Sequence, residues 1–253
     1  MTERLVAVQH DAGVRTLVLN SPANRNALSA RLLDELAGAL RAATTDDDVR
    51  VVVLTGSGTV FCSGADLSER GSAAPNRMPE ILTGIMESPV PVIARVNGHA
   101  RAGGLGLIAV ADLAVAPTTA TFAFTEVRVG VAPAMILVPA LRVVEARFLA
   151  RVVLTGEPFG AAEAAAAGLL TAVVDDESAL DAWVAAQAAA LRKGAPGAVR
   201  ATKELARSLP ALSWADGMAA AADRSAELFG GPEAAEGMAA FLEKRRPSWD
   251  ATP

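Results

Sequence analysis

Two segments of the chain combine residue types that could stabilise charge on a small molecule and move a proton. The first, residues 96–107, reads V-N-G-H-A-R-A-G-G-L-G-L and predicts a strand that turns through glycines into an apolar helix. The second, residues 122–133, reads F-A-F-T-E-V-R-V-G-V-A-P and brings Glu126 out of an apolar run. Free N–H groups at a helix N-terminus can hold an oxyanion, and a carboxyl in apolar surroundings can be tuned for proton transfer. Together the two segments predict chemistry on a thioester enolate.

Each of these features also has a structural explanation when it is taken alone. Gly103, Gly104 and Gly106 could serve close packing of a helix on a strand, and they do not match the G-x-G-x-x-G pattern of a dinucleotide site. Glu126 alone could be a surface carboxylate in a turn, and His99 fits a structural histidine. The combination, rather than any single residue, therefore carries the hypothesis of a catalytic site.

The first part of the chain is predicted to form strands and one helix that position these segments. Two β-rich runs, residues 5–9 and 14–19, are separated by D-A-G and predict a hairpin. Ser29 is a candidate N-cap for a helix over residues 30–43, whose leucines recur at helical spacing. Residues 49–54 form a continuous apolar run, which is typical of a strand that is buried on both faces.

Further elements are predicted on both sides of the glycine-rich segment. A strand over residues 91–96 precedes a buried helix over residues 103–111, and a strand over residues 113–116 follows. Strand, helix and strand thus recur at roughly 45-residue spacing, which predicts a coil of ββα repeats. Residues 71–79 have the Gly, Ser, Ala, Pro and Asn content of a mobile loop.

After residue 140 the chain becomes rich in alanine, which favours helices. The predicted helices span residues 161–167, 179–191, 198–209, 214–229 and 233–245. Only residues 171–174 look like a strand in this part. The fold class is therefore α/β, with a helical C-terminal region whose few apolar anchors predict packing on a partner subunit.

Composition argues against several classes of function. With 253 residues, 52% of them hydrophobic and 20% charged, the chain is predicted to be a well-packed globular protein. The net charge of −5 argues against nucleic-acid binding, and no apolar run reaches the length of a membrane span. The N-terminus has no signal-peptide core and Cys62 is the single cysteine, so we expect a cytoplasmic location and an inert thiol. Two histidines and one cysteine argue against a His/Cys metal site.

Four separated motifs, in their order and spacing, resemble the crotonase (enoyl-CoA hydratase/isomerase) superfamily. They are S-G-A-D-L at residues 63–67, P-V-I-A-R-V-N-G at 91–98, G-G at 103–104 and F-A-F-T-E-V-R-V-G-V-A-P at 122–133. N-R-N-A-L at residues 24–28 and F-L-E-K-R at 241–245 also match. The resemblance covers about the whole chain and implies a crotonase-like spiral of ββα repeats with a helical C-terminal region. It places an acyl-CoA site in a core over residues 1–195 and trimerisation in residues 196–253.

The resemblance assigns catalytic roles to three residues. By position, the main-chain N–H groups of Ala65 and Gly103 grip the thioester carbonyl oxygen, and Glu126 moves the proton. Enolate charge builds on that oxygen in the transition state, so fixed donors favour the transition state over the ground state. Hydratases of the superfamily usually carry a second acid three residues after the oxyanion glycine. Here that position is Gly106, which is the main departure from the pattern.

Because the second acid is missing, the sequence is compatible with more than one reaction. One carboxyl is enough to shuttle a proton between C2 and C4, which favours an isomerase, whereas the sequence around Gly103 and Glu126 resembles a branch described as hydratases. We expect an enoyl-CoA hydratase that adds water across the 2,3 double bond of a 2-enoyl-CoA. A delta3-delta2-enoyl-CoA isomerase and a catalytically weak acyl-CoA-binding paralogue are the alternatives. For hydration, Glu126 would serve both proton transfers, or Glu69 or Glu80 would supply a second acid.

The resemblance also implies residues that bind the CoA thioester. They are Arg25, Ala27, Ser63, Asp66, Leu67, Gly104, Pro133, Phe241 and Lys244. Arg25 resembles a position near the CoA phosphates, and Phe241 and Lys244 resemble tail residues that reach CoA across a subunit boundary in a homotrimer or a dimer of trimers. Arg101 or Arg128 could clamp a carboxylate on the acyl group, although either could instead be a surface or interface charge. The thioester is the substrate, and we expect no separate cofactor, metal, nucleic acid or membrane partner.

Overall fold

The computed structural model describes residues 4–69 and 76–250, which form two sheets with helices packed around them. The larger sheet has the strand order β1 (Val6–Asp11), β2 (Val14–Leu19), β3 (Val51–Gly56), β5 (Val92–Arg95), β7 (Leu113–Pro117) and β10 (Ala172–Val174). The smaller sheet has the order β4 (Val60–Cys62), β6 (His99–Arg101), β8 (Thr121–Ala123) and β9 (Phe159–Gly160). The β1–β2 hairpin and the β8–β9 pair are antiparallel, and the other neighbouring strands are parallel.

The helices lie between and after these strands. They are α1 (Ala30–Thr44), α2 (Met78–Met86), α3 (Gly103–Val110), α4 (Ala134–Val143), α5 (Ala146–Thr155), α6 (Ala161–Ala166), α7 (Glu177–Arg192), α8 (Pro196–Ser208), α9 (Trp214–Phe229) and α10 (Pro232–Leu242). The predicted cap of α1 is confirmed, because the Ser29 side chain accepts a hydrogen bond from the main-chain N–H of Leu32 at 3.2 Å.

From β3 to β8, consecutive strands alternate between the two sheets, which produces the predicted spiral. In each of the pairs β3–β4, β5–β6 and β7–β8, the first strand belongs to the larger sheet and the second to the smaller sheet. A helix follows each pair. The pairs begin at Val51, Val92 and Leu113, so their spacing is unequal and the roughly 45-residue period expected from the sequence is wrong. The reason is connection length, because a longer stretch with α2 joins β4 to β5, whereas α3 alone joins β6 to β7.

The central strand β3 is buried along its whole length, as the sequence predicted. Val52 and Leu54 face the main core together with the leucines of α1. Val51 and Val53 face a second apolar cluster that includes Leu180 of α7. Because helices cover both faces, each of these side chains contributes roughly 1.5–3 kcal/mol to folding.

The sequence analysis missed the helices α2, α4 and α5 and all four strands of the smaller sheet, β4, β6, β8 and β9. Met78 and Pro79 belong to the first turn of α2, so the end of the loop expected at residues 71–79 is helical. Residues 71–75 of that loop lie outside the described residues. The helix α4 contains Pro139 and exposes Val138 and Leu141, so its sequence lacks a clean amphipathic pattern.

Among the helices after residue 195, α8 is attached to the core by polar contacts. Its Lys203 ammonium donates to Asp112 Oδ2 at 2.6 Å and to the main-chain carbonyls of Ile85 and Val90. By contrast, α9 has no buried residue. The helix α10 ends at Leu242, before the predicted end at residue 245.

The part of the chain described here contains no helix that is long and apolar enough to cross a membrane. Within the same residues, no group of three or more His, Cys, Asp or Glu side chains is arranged to hold a metal ion.

Candidate active site

A cavity of about 500 Å³ lies where the loop after β4, the start of α3 and the turn after β8 meet. Eight residues selected from the sequence line it, and they come from three separate segments. These are Ser63, Ala65, Asp66, Leu67, Glu69, Gly103, Glu126 and Pro133. Leu28, Leu33, Met78, Val129, Val131 and Ile136 add apolar walls. The cavity therefore combines an apolar space for an organic group with few polar atoms, as ligand pockets do.

Two main-chain N–H groups are available to a ligand in this cavity. Ala65 and Gly103 both line it, and the N–H of neither has an acceptor among residues 4–69 and 76–250. Ala65 is held in place because it pairs with Leu28 in a parallel bridge, in which Leu28 N–H donates to Gly64 O at 2.8 Å. Gly103 opens α3, and the first N–H groups of a helix have no acceptor within it. The pair can therefore act as an oxyanion hole.

The two donor segments approach each other through Gly64 and Ala102. Gly64 has φ of 91°, and a Cβ at this position would lie 2.7 Å from the Ala102 Cβ and 3.6 Å from the Gly103 nitrogen. Ala102 has φ of 48°, a left-handed conformation that is costly for a residue with a Cβ. Strain of this kind persists where surrounding contacts hold a functional backbone in place.

Glu126 brings a carboxyl with one buried, unpartnered oxygen to the same cavity. It is half-buried at the start of the 3-10 turn Glu126–Val129, directly after β8. Its Oε2 is buried and has no hydrogen-bond partner in the described part of the chain. Burial raises the pKa of this carboxyl above its ordinary value, and its own main-chain N–H opposes the rise. A carboxyl of this kind is suited to general acid–base work.

The turn that carries Glu126 is fixed at both ends. The main-chain N–H of Val131 donates to the Glu126 carbonyl at 3.1 Å, and Gly130 adopts φ of 81°. Arg128 Nε donates to the carbonyl of Thr155 at 3.1 Å, which ties the turn to the end of α5. The position of Glu126 therefore depends on Arg128 and not only on its own contacts.

One turn into α3, Gly106 is covered by a side chain from α4. A Cβ on Gly106 would lie 2.4 Å from Cγ2 of Ile136 and 2.9 Å from its Cβ. Gly106 is buried, and Ile136, at 3% exposure, lines the cavity in front of it. A carboxylate at residue 106 would therefore require Ile136 to move.

The chain resembles known proteins over almost its whole length. The family described as enoyl-CoA hydratase/isomerase matches residues 9–252. The chain belongs to this family. The 2,3-dehydroadipyl-CoA hydratase of Escherichia coli is 32% identical over 98% of this chain and 99% of its own length. Enoyl-CoA hydratase domain-containing protein 3 of Danio rerio is 33% identical over 98% of this chain and 88% of its own.

A solved enoyl-CoA hydratase structure from Mycobacterium smegmatis has the same architecture. It is 36% identical, covers 98% of this chain and 99% of its own, and has a TM-score of 0.91. The likeness confirms the crotonase-type α/β fold that the motifs predicted.

Other acidic residues near the site of this family member already have partners. Asp66 Oδ1 accepts from the hydroxyl of Ser68 at 2.6 Å, and Glu69 Oε2 accepts from the main-chain N–H of Ala30 at 2.7 Å. Glu80 lies on α2 outside the cavity and pairs with Arg41 and Arg77. Glu69 thus lines the cavity with one oxygen bound to the start of α1, whereas Glu80 lies outside the cavity in ion pairs.

The two arginines considered as an acyl clamp do not line the cavity. Arg101 Nη1 donates to the carbonyls of Ala100 at 2.9 Å and Thr121 at 2.6 Å, so main-chain oxygens at the ends of β6 and β8 take its donors. Arg128 is directed to Thr155, as described above. Both side chains therefore stabilise the main chain through hydrogen bonds, and neither lines the cavity that could hold an acyl group.

Several predicted CoA contacts also lie away from the cavity of their own chain. Arg25 is exposed, and its carbonyl accepts from Ser63 N–H at 3.1 Å, so it supports the loop that carries Ala65. Ala27 is buried, and Gly104 packs on Cys62. Phe241 and Lys244 are exposed at the end of α10.

Asn26 and Asn97 position the site and were not selected from the sequence. Asn26 is fully buried and donates to the carbonyls of Ser57 at 3.0 Å and Val60 at 2.7 Å. Asn97 accepts from Gly56 N–H at 3.0 Å and donates to the carbonyl of Gly58. Together they fix the turn that leads through β4 to Ala65. The sequence could have identified them, because Asn26 belongs to the matching motif N-R-N-A-L and Asn97 to the matching motif P-V-I-A-R-V-N-G.

Proposed function

We propose that this chain converts enoyl-CoA thioesters through an enolate, with Glu126 as the single acid–base residue. The observation that carries the proposal is the buried, unpartnered Oε2 of Glu126 in the cavity that also holds the free N–H groups of Ala65 and Gly103. The two N–H groups would hold the thioester oxygen while negative charge builds on it. Loss of one such donor typically raises the barrier by roughly 3–4 kcal/mol.

Of the reactions in the family description, double-bond isomerisation has the best support from the geometry. Glu126 would take a proton from C2 of a 3-enoyl-CoA, which gives a dienolate held by Ala65 and Gly103. The same carboxyl would return the proton to C4, and the product is the 2-enoyl-CoA. The cycle needs one carboxyl, and Glu126 provides one whose Oε2 has no partner among the described residues.

Hydration is the second candidate, and the printed names of the relatives favour it. Water would add at C3 and a proton at C2 of a 2-enoyl-CoA. Glu126 would then activate the water and also deliver the proton, because Gly106 carries no carboxyl. A weakly active acyl-CoA-binding protein is the third candidate, and retention of Glu126 argues against it.

Product analysis in heavy-oxygen water separates these candidates. The purified protein is incubated with crotonyl-CoA and, separately, with a 3-enoyl-CoA, and the products are identified by mass spectrometry. Isomerisation gives a 2-enoyl-CoA without label. Hydration gives a labelled 3-hydroxyacyl-CoA. Binding of acyl-CoA without either product would contradict both reactions and favour the third candidate.

We also propose that the chain forms a homotrimer or a dimer of trimers. Large apolar side chains are exposed on α4, α9 and α10, among them Val138, Trp214 and Phe241. A second copy would cover them and would bring Phe241 and Lys244 to a neighbouring CoA site. Light scattering coupled to size exclusion tests this, and a monomer at micromolar concentration would contradict it.

A further inference from the structure

The contact between Gly106 and Ile136 shapes the wall of the cavity directly behind an oxyanion donor. Residues three apart on a helix share a face, so Gly106 lies one turn behind Gly103 on the same face of α3. Gly106 does not itself line the cavity, because the branched side chain of Ile136 stands in front of it. The cavity wall one turn behind Gly103 is thus formed by the methyl-bearing side chain of Ile136.

This wall gives a water molecule nothing to bind. A buried water is held by about two to four polar partners, and the side chains of residues 106 and 136 provide none. Apolar walls of this kind keep water out of a reaction. Glu126 Oε2, in the same cavity, also lacks a hydrogen-bond partner among the described residues.

We propose that Ile136 determines reaction specificity by keeping water away from C3 of the bound enoyl thioester. This inference rests on the proposed enolate chemistry. In isomerisation a C2–H bond breaks and a C4–H bond forms, and no oxygen atom enters. In hydration a C3–O bond forms from water, a proton is added at C2, and the double bond is lost. Ile136 opposes only the reaction that needs the C3–O bond.

Two substitutions at residue 136 test the role of this side chain. Ile136→Leu keeps the volume but moves the branch from Cβ to Cγ, so the Cγ2 methyl next to Gly106 is lost. Ile136→Ala opens the space fully. Ile85→Ala is the matched control, because Ile85 is equally buried but does not line the cavity. The readout is the ratio of labelled 3-hydroxyacyl-CoA to isomerised product in heavy-oxygen water.

We expect the hydration-to-isomerisation ratio to rise about tenfold or more for Ile136→Ala, with a smaller rise for Ile136→Leu. Ile85→Ala should lower stability and leave the ratio unchanged. A wild-type ratio in folded Ile136→Leu and Ile136→Ala would overturn the inference. The wild-type product mixture alone tests the proposed function, so the two failures are distinguishable.

A paired exchange tests the same inference by gain of activity. Gly106→Glu together with Ile136→Gly removes the obstructing side chain and adds a carboxyl that can activate water. Hydration of crotonyl-CoA should exceed that of the wild type by about tenfold or more. A gain of hydration in this variant would support the inference even if the wild type formed neither the hydrated nor the isomerised product. No gain in a folded variant that still binds acyl-CoA would overturn the inference.

Discussion

The Cβ of Ala102 lies so close to Gly64 that a methyl group on residue 64 would approach it to 2.7 Å. This contact joins the segment that carries the Ala65 N–H to the turn that carries the Gly103 N–H. The two donors are therefore fixed relative to each other by packing between their neighbours. A change of one methyl group at this contact should disturb the oxyanion hole without removing a donor.

Gly64→Ala should reduce turnover with little loss of fold. The new methyl meets Ala102, and φ of 91° is unfavourable for alanine, so the loop carrying Ala65 must shift. A misplaced oxyanion donor costs about 10²-fold in kcat. Steady-state kinetics measures this, and circular dichroism checks the fold.

Gly38→Ala is the matched control for that substitution. Gly38 lies in α1, and a Cβ there meets no atom within 4 Å. It should leave turnover unchanged and stabilise the helix by about 0.5–1 kcal/mol. Equal kcat for Gly64→Ala and the wild type would show that the donors do not depend on the contact between residues 64 and 102.

Burial of Glu126 should leave a signature in the pH dependence of stability. The pKa of Glu126 in the folded state is raised above its ordinary value of 4.5. At a pH between 4.5 and this raised pKa, the folded state therefore binds more protons than the unfolded state. The contribution of protonated Glu126 to the free energy of unfolding is complete below pH 4.5 and is lost as pH rises through the raised pKa. Relative to Glu126→Gln, the wild type should therefore gain stability as pH falls through this window.

Denaturant unfolding of both proteins across the acid range measures that difference. Activity should follow the opposite trend, because only the ionised carboxyl can take a proton from C2. The acid limb of kcat/KM should thus lie above pH 4.5. Parallel stability profiles for wild type and Glu126→Gln would contradict the raised pKa.

Gly106 and Ile136 should be strongly coupled in stability. Gly106→Ala in the wild type forces a Cβ to 2.4 Å from Ile136 Cγ2. Overpacking of this kind costs about 1–3 kcal/mol. In an Ile136→Ala background the same substitution should be neutral or stabilising, because the space is open and alanine favours helix.

A double-mutant cycle from unfolding free energies measures this coupling. Gly84→Ala serves as the control, since a Cβ there meets no atom within 4 Å and its effect should be the same in both backgrounds. Additive effects of the substitutions at 106 and 136 would mean that the two residues are not in contact.

Lys203 should be the main polar anchor of the C-terminal helices. Its side chain is 9% exposed, and its ammonium donates hydrogen bonds to Asp112 and to two main-chain carbonyls. Lys203→Met removes one donor from each acceptor and leaves the Asp112 carboxylate without its cation, which should cost about 3 kcal/mol of unfolding free energy. Arg200→Met on the same helix is the control, because Arg200 is exposed and should change stability by less than about 0.5 kcal/mol. Equal stability of the two variants would contradict the anchoring role.

The sequence was most informative where local pattern and chemistry coincide. The hairpin, the capped helix α1 and the buried strand β3 follow from turn residues, a serine cap and an apolar run. Ala65, Gly103 and Glu126 were found because three motifs agree in order and spacing, and the fold brings all three to one cavity.

The rest depends on contacts between residues that are distant in sequence. The sequence shows that Gly106 lacks a carboxyl, but only the packing of α4 on α3 shows that Ile136 fills the space. Likewise, nothing in the run around Arg101 predicts that the carbonyl of Thr121 takes its donors. The helix α4 was missed because its exposed apolar residues hide the amphipathic period.

The most direct test of the account is proton exchange at C2 by wild type and Glu126→Gln. A 3-enoyl-CoA is incubated with each protein in deuterium oxide, and deuterium incorporation and double-bond migration are followed by NMR. We expect the wild type to catalyse both, and Glu126→Gln to bind the thioester but slow both by about 10²–10⁴-fold. Wild-type rates in Glu126→Gln would show that another group moves the proton and would contradict the central claim.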